Sequence, residues 1–172
     1  MRGFITMALG GFLLFFVVSA VIAFFGNAHF TRPPVKQPIV FNHRLHVEDE
    51  ELECSSCHAE YETGIHSGMP DDEVCSLCHS EPQGDTPEEK KLVRMLEEGR
   101  PLDWKPLSLQ TPNIFFSHRR HLSVAGIPCS KCHGDMGNSV VPPTTANPLT
   151  MNECIQCHQV EGVSTSCSAC HR

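Results

Sequence analysis

All ten cysteines and five of the eleven histidines of this chain fall into one pattern, Cys-x-x-Cys-His. It occurs at Cys54, Cys57 and His58; Cys75, Cys78 and His79; Cys129, Cys132 and His133; Cys154, Cys157 and His158; and Cys167, Cys170 and His171. The spacing is that of covalent c-type haem attachment. Two thiols at this separation add across the two vinyl groups of one porphyrin, and the histidine that follows lies beneath the iron as its proximal ligand. Paired cysteines also build zinc sites and disulfide frameworks, but neither needs the histidine. Given the histidine content, its presence after all five pairs has a chance probability on the order of 10^-6. Five covalently bound haem c groups are therefore expected.

An iron that carries electrons without binding a reactant needs a second axial ligand. Six further histidines are present: His29, His43, His46, His66, His118 and His121. Four belong to a duplicated element, Phe41-x-His43-x-x-His46 and Phe116-x-His118-x-x-His121, each ahead of a haem motif and offset by 75 residues. Histidines three apart share a helix face yet diverge enough to reach two irons. Each pair is expected to serve its own haem and a neighbouring one. The first half then offers His43, His46 and His66 for two haems, and the second offers His118 and His121 for three. The numbers balance only when pooled, so at least one distal histidine is expected to cross between the halves. His29 is left over and reads as a solvated interfacial residue, with a haem ligand or a hydrogen-bonding partner of quinone or propionate as alternatives. A sixth haem, held without its own cysteine pair, is the minor alternative to five. Met69, Met95, Met136 and Met151 are expected to pack against porphyrin faces rather than replace a histidine.

The elements that position these groups are short. With 13 Pro, 12 Gly, one Trp and one Tyr, the chain has little from which to build sheets or bundles. From residue 29 onward it offers about 29 residues per haem, little protein for an apolar interior of its own. The expected fold class is mostly irregular with short α-helices, wrapped round five haems. Two half-repeats, about 37–84 and 112–172, are joined by a helix over about 87–98. There Thr86 is the N-cap, Pro87 the first helical residue and Glu89 the reciprocal partner of a capping box. Leu92, Met95 and Leu96 form its apolar face, and Gly99 and Pro101 stop it. Residues 140–150, with three prolines and no charge, read as an irregular loop.

Residues Phe4 to Phe25 form a 22-residue run without a charge, enough to span about 33 Å as a helix. It reads as one N-terminal transmembrane helix, within an anchor of residues 1–28 ahead of a haem domain of residues 29–172. A cleaved signal ending near Gly26-Asn27-Ala28 is the alternative, disfavoured because the apolar run exceeds a signal core. Net charge is -7, with Glu48, Asp49, Glu50, Glu51 and Glu53 before the first motif and Asp71, Asp72 and Glu73 before the second. Such a surface excludes nucleic acid as a partner and suits steering of a lysine-rich redox protein.

The Phe-x-His-x-x-His elements followed by Cys-x-x-Cys-His resemble class III multihaem cytochromes c. A longer run of motifs narrows the resemblance: Gly64-Ile65-His66-Ser67-Gly68-Met69-Pro70, Glu98-Gly99-Arg100-Pro101-Leu102-Asp103-Trp104, Phe115-Phe116-Ser117-His118-Arg119-Arg120-His121, and Ser164-Thr165-Ser166-Cys167. Over roughly residues 37–172 the chain is similar to the multihaem cytochrome subunits of membrane-bound menaquinone oxidoreductases, both the menaquinone reductase complex of sulfate-reducing bacteria and alternative complex III. The resemblance implies an electron-transfer subunit with no catalytic site of its own. Its partners would be iron–sulfur and molybdopterin-like subunits, polytopic quinone-binding subunits and a soluble periplasmic cytochrome c. It also places the haem domain in the periplasm, held to the inner membrane by a single pass. Two other readings compete. One is a stand-alone membrane-anchored menaquinol dehydrogenase, which would leave one haem without a strong distal ligand. The other, a nitrite or sulfite reductase, needs an open iron that the histidine count does not leave.

Overall fold

The computed structural model describes residues 11–23, 34–107, 113–145 and 149–171. The chain divides into two compact units, Met1–Pro34 and Val35–Arg172. In the first, residues 11–23 are helical (α1). The expected membrane span, Phe4 to Phe25, lies partly outside the described residues, as do His29 and the expected boundary at residue 28. Among the described residues no helix is long and apolar enough to cross a membrane.

The second unit is built of short helices and turns, as its composition implies. α2 (Asp72–His79), α3 (Pro87–Glu97), α4 (Ser130–His133), α5 (Met151–Val160) and α6 (Cys167–Cys170) alternate with tight 3-10 turns at Cys54–Ser56, Ala59–Glu62 and Met136–Asn138. The pairing of Ile114 with His171 is an isolated bridge, and no strand occurs among the described residues. Two segments, Leu45–Asp49 and Arg120–Val124, are wound as π-turns.

The bridging helix α3 forms where expected, starting at Pro87 behind Thr86, whose hydroxyl accepts the Glu89 backbone N–H at 3.2 Å. It ends at Glu97, where the Gly99 and Arg100 N–H groups turn back onto the carbonyls of Leu96 and Met95 at 3.1 and 2.9 Å. The capping box is not completed: the Glu89 carboxylate does not return to Thr86 but accepts the Gln83 N–H at 2.5 Å. A complete box stands instead at α5. There Thr150 and Glu153 satisfy each other's backbone N–H, at 2.6 Å from Thr150 to Glu153 Oε2 and 3.3 Å in return. The stretch read as a loop thus ends in a helix cap, and its residues 146–148 lie outside the described residues.

Protein side chains enclose little. Among the described residues only Ile39, Leu92, Val93, Met95 and Leu102 are buried. Ile39, Leu92, Met95 and Leu102 pack together, with Cys75, Leu96 and Trp104 at their margin. Met95 is therefore part of this small protein core. Polar bonds seal it: Trp104 Nε1 donates to Pro70 O at 2.9 Å, Leu102 N to Asp72 Oδ1 at 2.8 Å, and Lys91 Nζ to Pro38 O at 2.5 Å. These contacts fix α2 against α3 and the segment after it, and so set the second haem motif. In contrast, Leu77 inside a motif and Val160 just after one are 82% and 83% exposed. Because the cluster is so small, Leu92→Ala is expected to cost about 2–4 kcal/mol and Thr86→Ala about 1 kcal/mol. Denaturant unfolding of the haem-loaded protein checks both.

Candidate haem-binding sites

A Cys-x-x-Cys-His run wound as one helical turn brings both thiols and the imidazole to one side, since residues three and four apart lie over each other. That winding is present. In the first, third and fifth motifs the carbonyl of the leading cysteine accepts the histidine N–H: His58 from Cys54 at 2.9 Å, His133 from Cys129 at 3.0 Å and His171 from Cys167 at 2.8 Å. The second motif is the last turn and a half of α2, and the fourth lies within α5.

The imidazoles are oriented through Nδ1. His58 Nδ1 lies 2.7 Å from Gly68 O, His158 Nδ1 2.8 Å from Ser164 O, and His171 Nδ1 3.1 Å from Asn113 O. Among the histidines expected as distal ligands, His46 Nδ1 lies 2.9 Å from Asn42 O, His121 Nδ1 2.9 Å from Ser117 O and His118 Nδ1 3.0 Å from Ile65 O. A carbonyl can only accept, so each ring carries its proton on Nδ1 and leaves the Nε2 lone pair free for a metal. Two of these carbonyls depend on glycine. Gly68 has φ +78°, and a Cβ there would stand 2.9 Å from the Glu60 side chain. Gly162, with φ +66°, lets Val163 N reach His158 O at 2.9 Å and turns the chain toward Ser164.

The duplicated element is duplicated in space. In each copy the phenylalanine stacks on the second histidine and meets the first edge-on. Phe41 lies 4.4 Å from His46 and 4.8 Å from His43, and Phe116 lies 4.6 Å from His121 and 4.9 Å from His118. Both copies run into the π-turns, closed by Glu50 N to Leu45 O at 3.0 Å and Ala125 N to Arg120 O at 3.1 Å. Sequence reasoning anticipated ordinary helical turns here. The wider winding inserts a residue per turn and is common at functional sites.

These elements bring imidazoles opposite one another, with ring planes near parallel in one pair (8°) and tilted in the other two (53° and 31°). Ring centres are 6.1 Å apart for His46 and His79, 6.4 Å for His118 and His133, and 6.2 Å for His121 and His158. Two imidazoles on opposite sides of one iron, each bound through a metal–nitrogen bond of about 2 Å, have ring centres about 6 Å apart. The donor pairs therefore fit a haem iron. Among the described residues no three His, Cys, Asp or Glu converge on a single metal ion. Facing pairs suit a porphyrin, which brings four ligands of its own. His43 is held below the ordinary histidine value by burial and by the nearby imidazoles of His58 and His46, and its enclosed Nδ1 has no hydrogen-bond partner. Burial and the neighbouring His118 and His58 lower His133 likewise. Both are thus kept neutral, the form that ligates.

The cysteines form a chain of neighbours. Burial, then the adjacent Cys57, Asp72 and Asp71, push the Cys75 thiol up to about 11. Burial and a hydrogen-bonded Cys54 raise Cys129, burial and Cys157 raise Cys132, and burial and Cys170 raise Cys154. Motif neighbours thus run second, first, third, fourth, fifth, and the halves meet at Cys54 and Cys129. The halves are also joined at Ile65, whose carbonyl receives both the backbone N–H and Nδ1 of His118, each at 3.0 Å. His66 therefore stands beside the second half's distal element.

The pattern of cytochrome c7 and related cytochromes c matches residues 39–92 and 114–172, more than half of the chain. The chain belongs to that family. It is also similar to the menaquinone reductase multihaem cytochrome c subunit of Nitratidesulfovibrio vulgaris (strain Hildenborough). The two are 35% identical over an alignment of 189 positions that covers 95% of this chain and 90% of the relative. Members of this family are multihaem cytochromes c, so covalently bound haem c is the cofactor of the motifs. The resemblance drawn from the sequence is thereby borne out. Because Phe116 touches both His118 and His121, Phe116→Ala is expected to perturb two haem signals together in low-temperature electron paramagnetic resonance. Perturbation of one signal alone would show that the ring does not couple them.

Proposed function

We propose that this chain is the membrane-anchored electron relay of a menaquinone oxidoreductase. It carries five haems c and passes single electrons between a periplasmic cytochrome c and the quinone and iron–sulfur subunits of its complex. The observation that carries this reading is the set of three facing imidazole pairs, at ring separations of 6.1 to 6.4 Å. An iron closed on both sides exchanges electrons but takes no reactant. That the relative is a subunit of menaquinone reductase supports the choice of complex.

In this reading the ten motif cysteines tether the haems, and His58, His79, His133, His158 and His171 are proximal ligands. His46 serves the second motif, His118 the third and His121 the fourth, by their facing geometry. His43 serves the first, beside His58. His66 is left for the fifth, the crossing that the ligand count requires. Bound haem supplies a reversible ferrous/ferric couple. The chain's residues hold the imidazoles neutral, orient Nε2 and exclude other ligands. The order of thiol neighbours makes the relay path second, first, third, fourth, fifth, with ends at α2 and α6.

Residues 1–28 are the anchor, and the haem domain is periplasmic, a reading supported by the uncharged run from Phe4 to Phe25 and by the compartment in which such haems are attached. Lysine-rich cytochromes are drawn by the acidic clusters at residues 48–53 and 71–73.

His46→Ala and His121→Ala are each expected to open one iron, giving one carbon-monoxide-binding haem per variant while five haems remain attached. Carbon monoxide binding at no haem in either variant would refute the ligand assignment. Menaquinol oxidation is expected only with the polytopic partners present. Oxidation by the purified chain alone would favour the stand-alone quinol dehydrogenase instead.

A further inference from the structure

The proximal histidines differ in what faces Nδ1. His58, His158 and His171 each have a main-chain carbonyl, at 2.7 to 3.1 Å. His79 has a carboxylate. Glu89 Oε1 lies 3.3 Å from His79 Nδ1, both side chains are largely enclosed at 11% and 19% exposure, and no other acceptor reaches this nitrogen. The approach is close without being an aligned hydrogen bond.

The sequence around Glu89 makes this placement informative. Glu89 occupies the capping-box position after Thr86, and Thr86 does cap it, accepting its N–H at 3.2 Å. The carboxylate nevertheless gives up the reciprocal bond that Glu153 makes to Thr150 at α5. It is held instead by the Gln83 N–H at 2.5 Å, with Gly84 so close that a Cβ there would stand 3.0 Å from Glu89 Oε2. A local rule is thus set aside where a metal ligand needs a partner. A carboxylate on the far nitrogen of a ligating imidazole increases its basicity and stabilises the more positive metal.

We infer that Glu89 is a positioning and tuning residue for the second haem. Acting through His79, it favours the ferric state of that iron and makes this haem the low-potential end of the relay. The inference rests on the functional reading above. In thermodynamic terms, an electron delivered to any other haem is disfavoured from moving to the second one, while an electron placed on the second one runs toward the rest.

The test is a spectroelectrochemical titration of the haem-loaded subunit and its E89Q variant at one pH, together with electron paramagnetic resonance. Removal of the charge is expected to move one of five components, the lowest, to higher potential, and to change one low-spin signal while four stay unchanged. T86A, which loosens the same helix end but keeps the carboxylate, is expected to leave that component in place. Unchanged components in E89Q, or the same shift in T86A, would overturn the inference. Failure of the functional reading shows separately, in the unsubstituted protein, as a second motif that carries no haem.

Discussion

The hydrogen bond between a histidine Nδ1 and a main-chain carbonyl is the interaction on which the rest of this structure depends. It recurs at His46, His58, His118, His121, His158 and His171, at 2.7 to 3.1 Å. It fixes the tautomer, aims Nε2 and removes the freedom to swing away. Among the described residues so few apolar side chains are buried that they form no dense core to immobilise the ligands. Local main-chain geometry does that work, and the tight turns, left-handed glycines and π-turns bring carbonyls to the rings.

One constraint then organises the ligands in pairs. A phenylalanine between two histidines presents its face to one ring and its edge to the other, so the rings diverge. The second histidine of each copy faces the proximal ligand of a later motif, His79 or His158, while His118 faces the motif that follows it directly. The second copy thereby sets its two histidines opposite the histidines of two different motifs. The halves are also joined through Cys54, Cys129 and the Ile65 carbonyl.

Much of this was legible in the sequence, where chemistry is written in residue types at short range. The five motifs, the duplicated Phe-x-His-x-x-His element, the scarcity of strands and the capped helix over Pro87–Glu97 all depend on neighbours within about one helical turn. The cap at Thr150 is equally legible, since Glu153 stands three residues on, although Pro142, Pro143 and Pro148 give the stretch before it the pattern of a loop. Long-range placements left no such mark. Nothing local says that His46 lies opposite His79, or that the Glu89 carboxylate leaves the capping box for the Gln83 N–H and comes within 3.3 Å of the same imidazole. The π-turns escaped too, because a wider hydrogen-bonding register changes winding without changing which residues are polar.

A relay of this kind requires protein imidazoles on both faces of every haem iron. The measurement that tests it most directly is a low-temperature electron paramagnetic resonance spectrum of the oxidised, purified subunit, with haem counted per chain. Five haems per chain and only low-spin signals of bis-imidazole type are expected. A substantial high-spin population, or fewer than five haems, would contradict it.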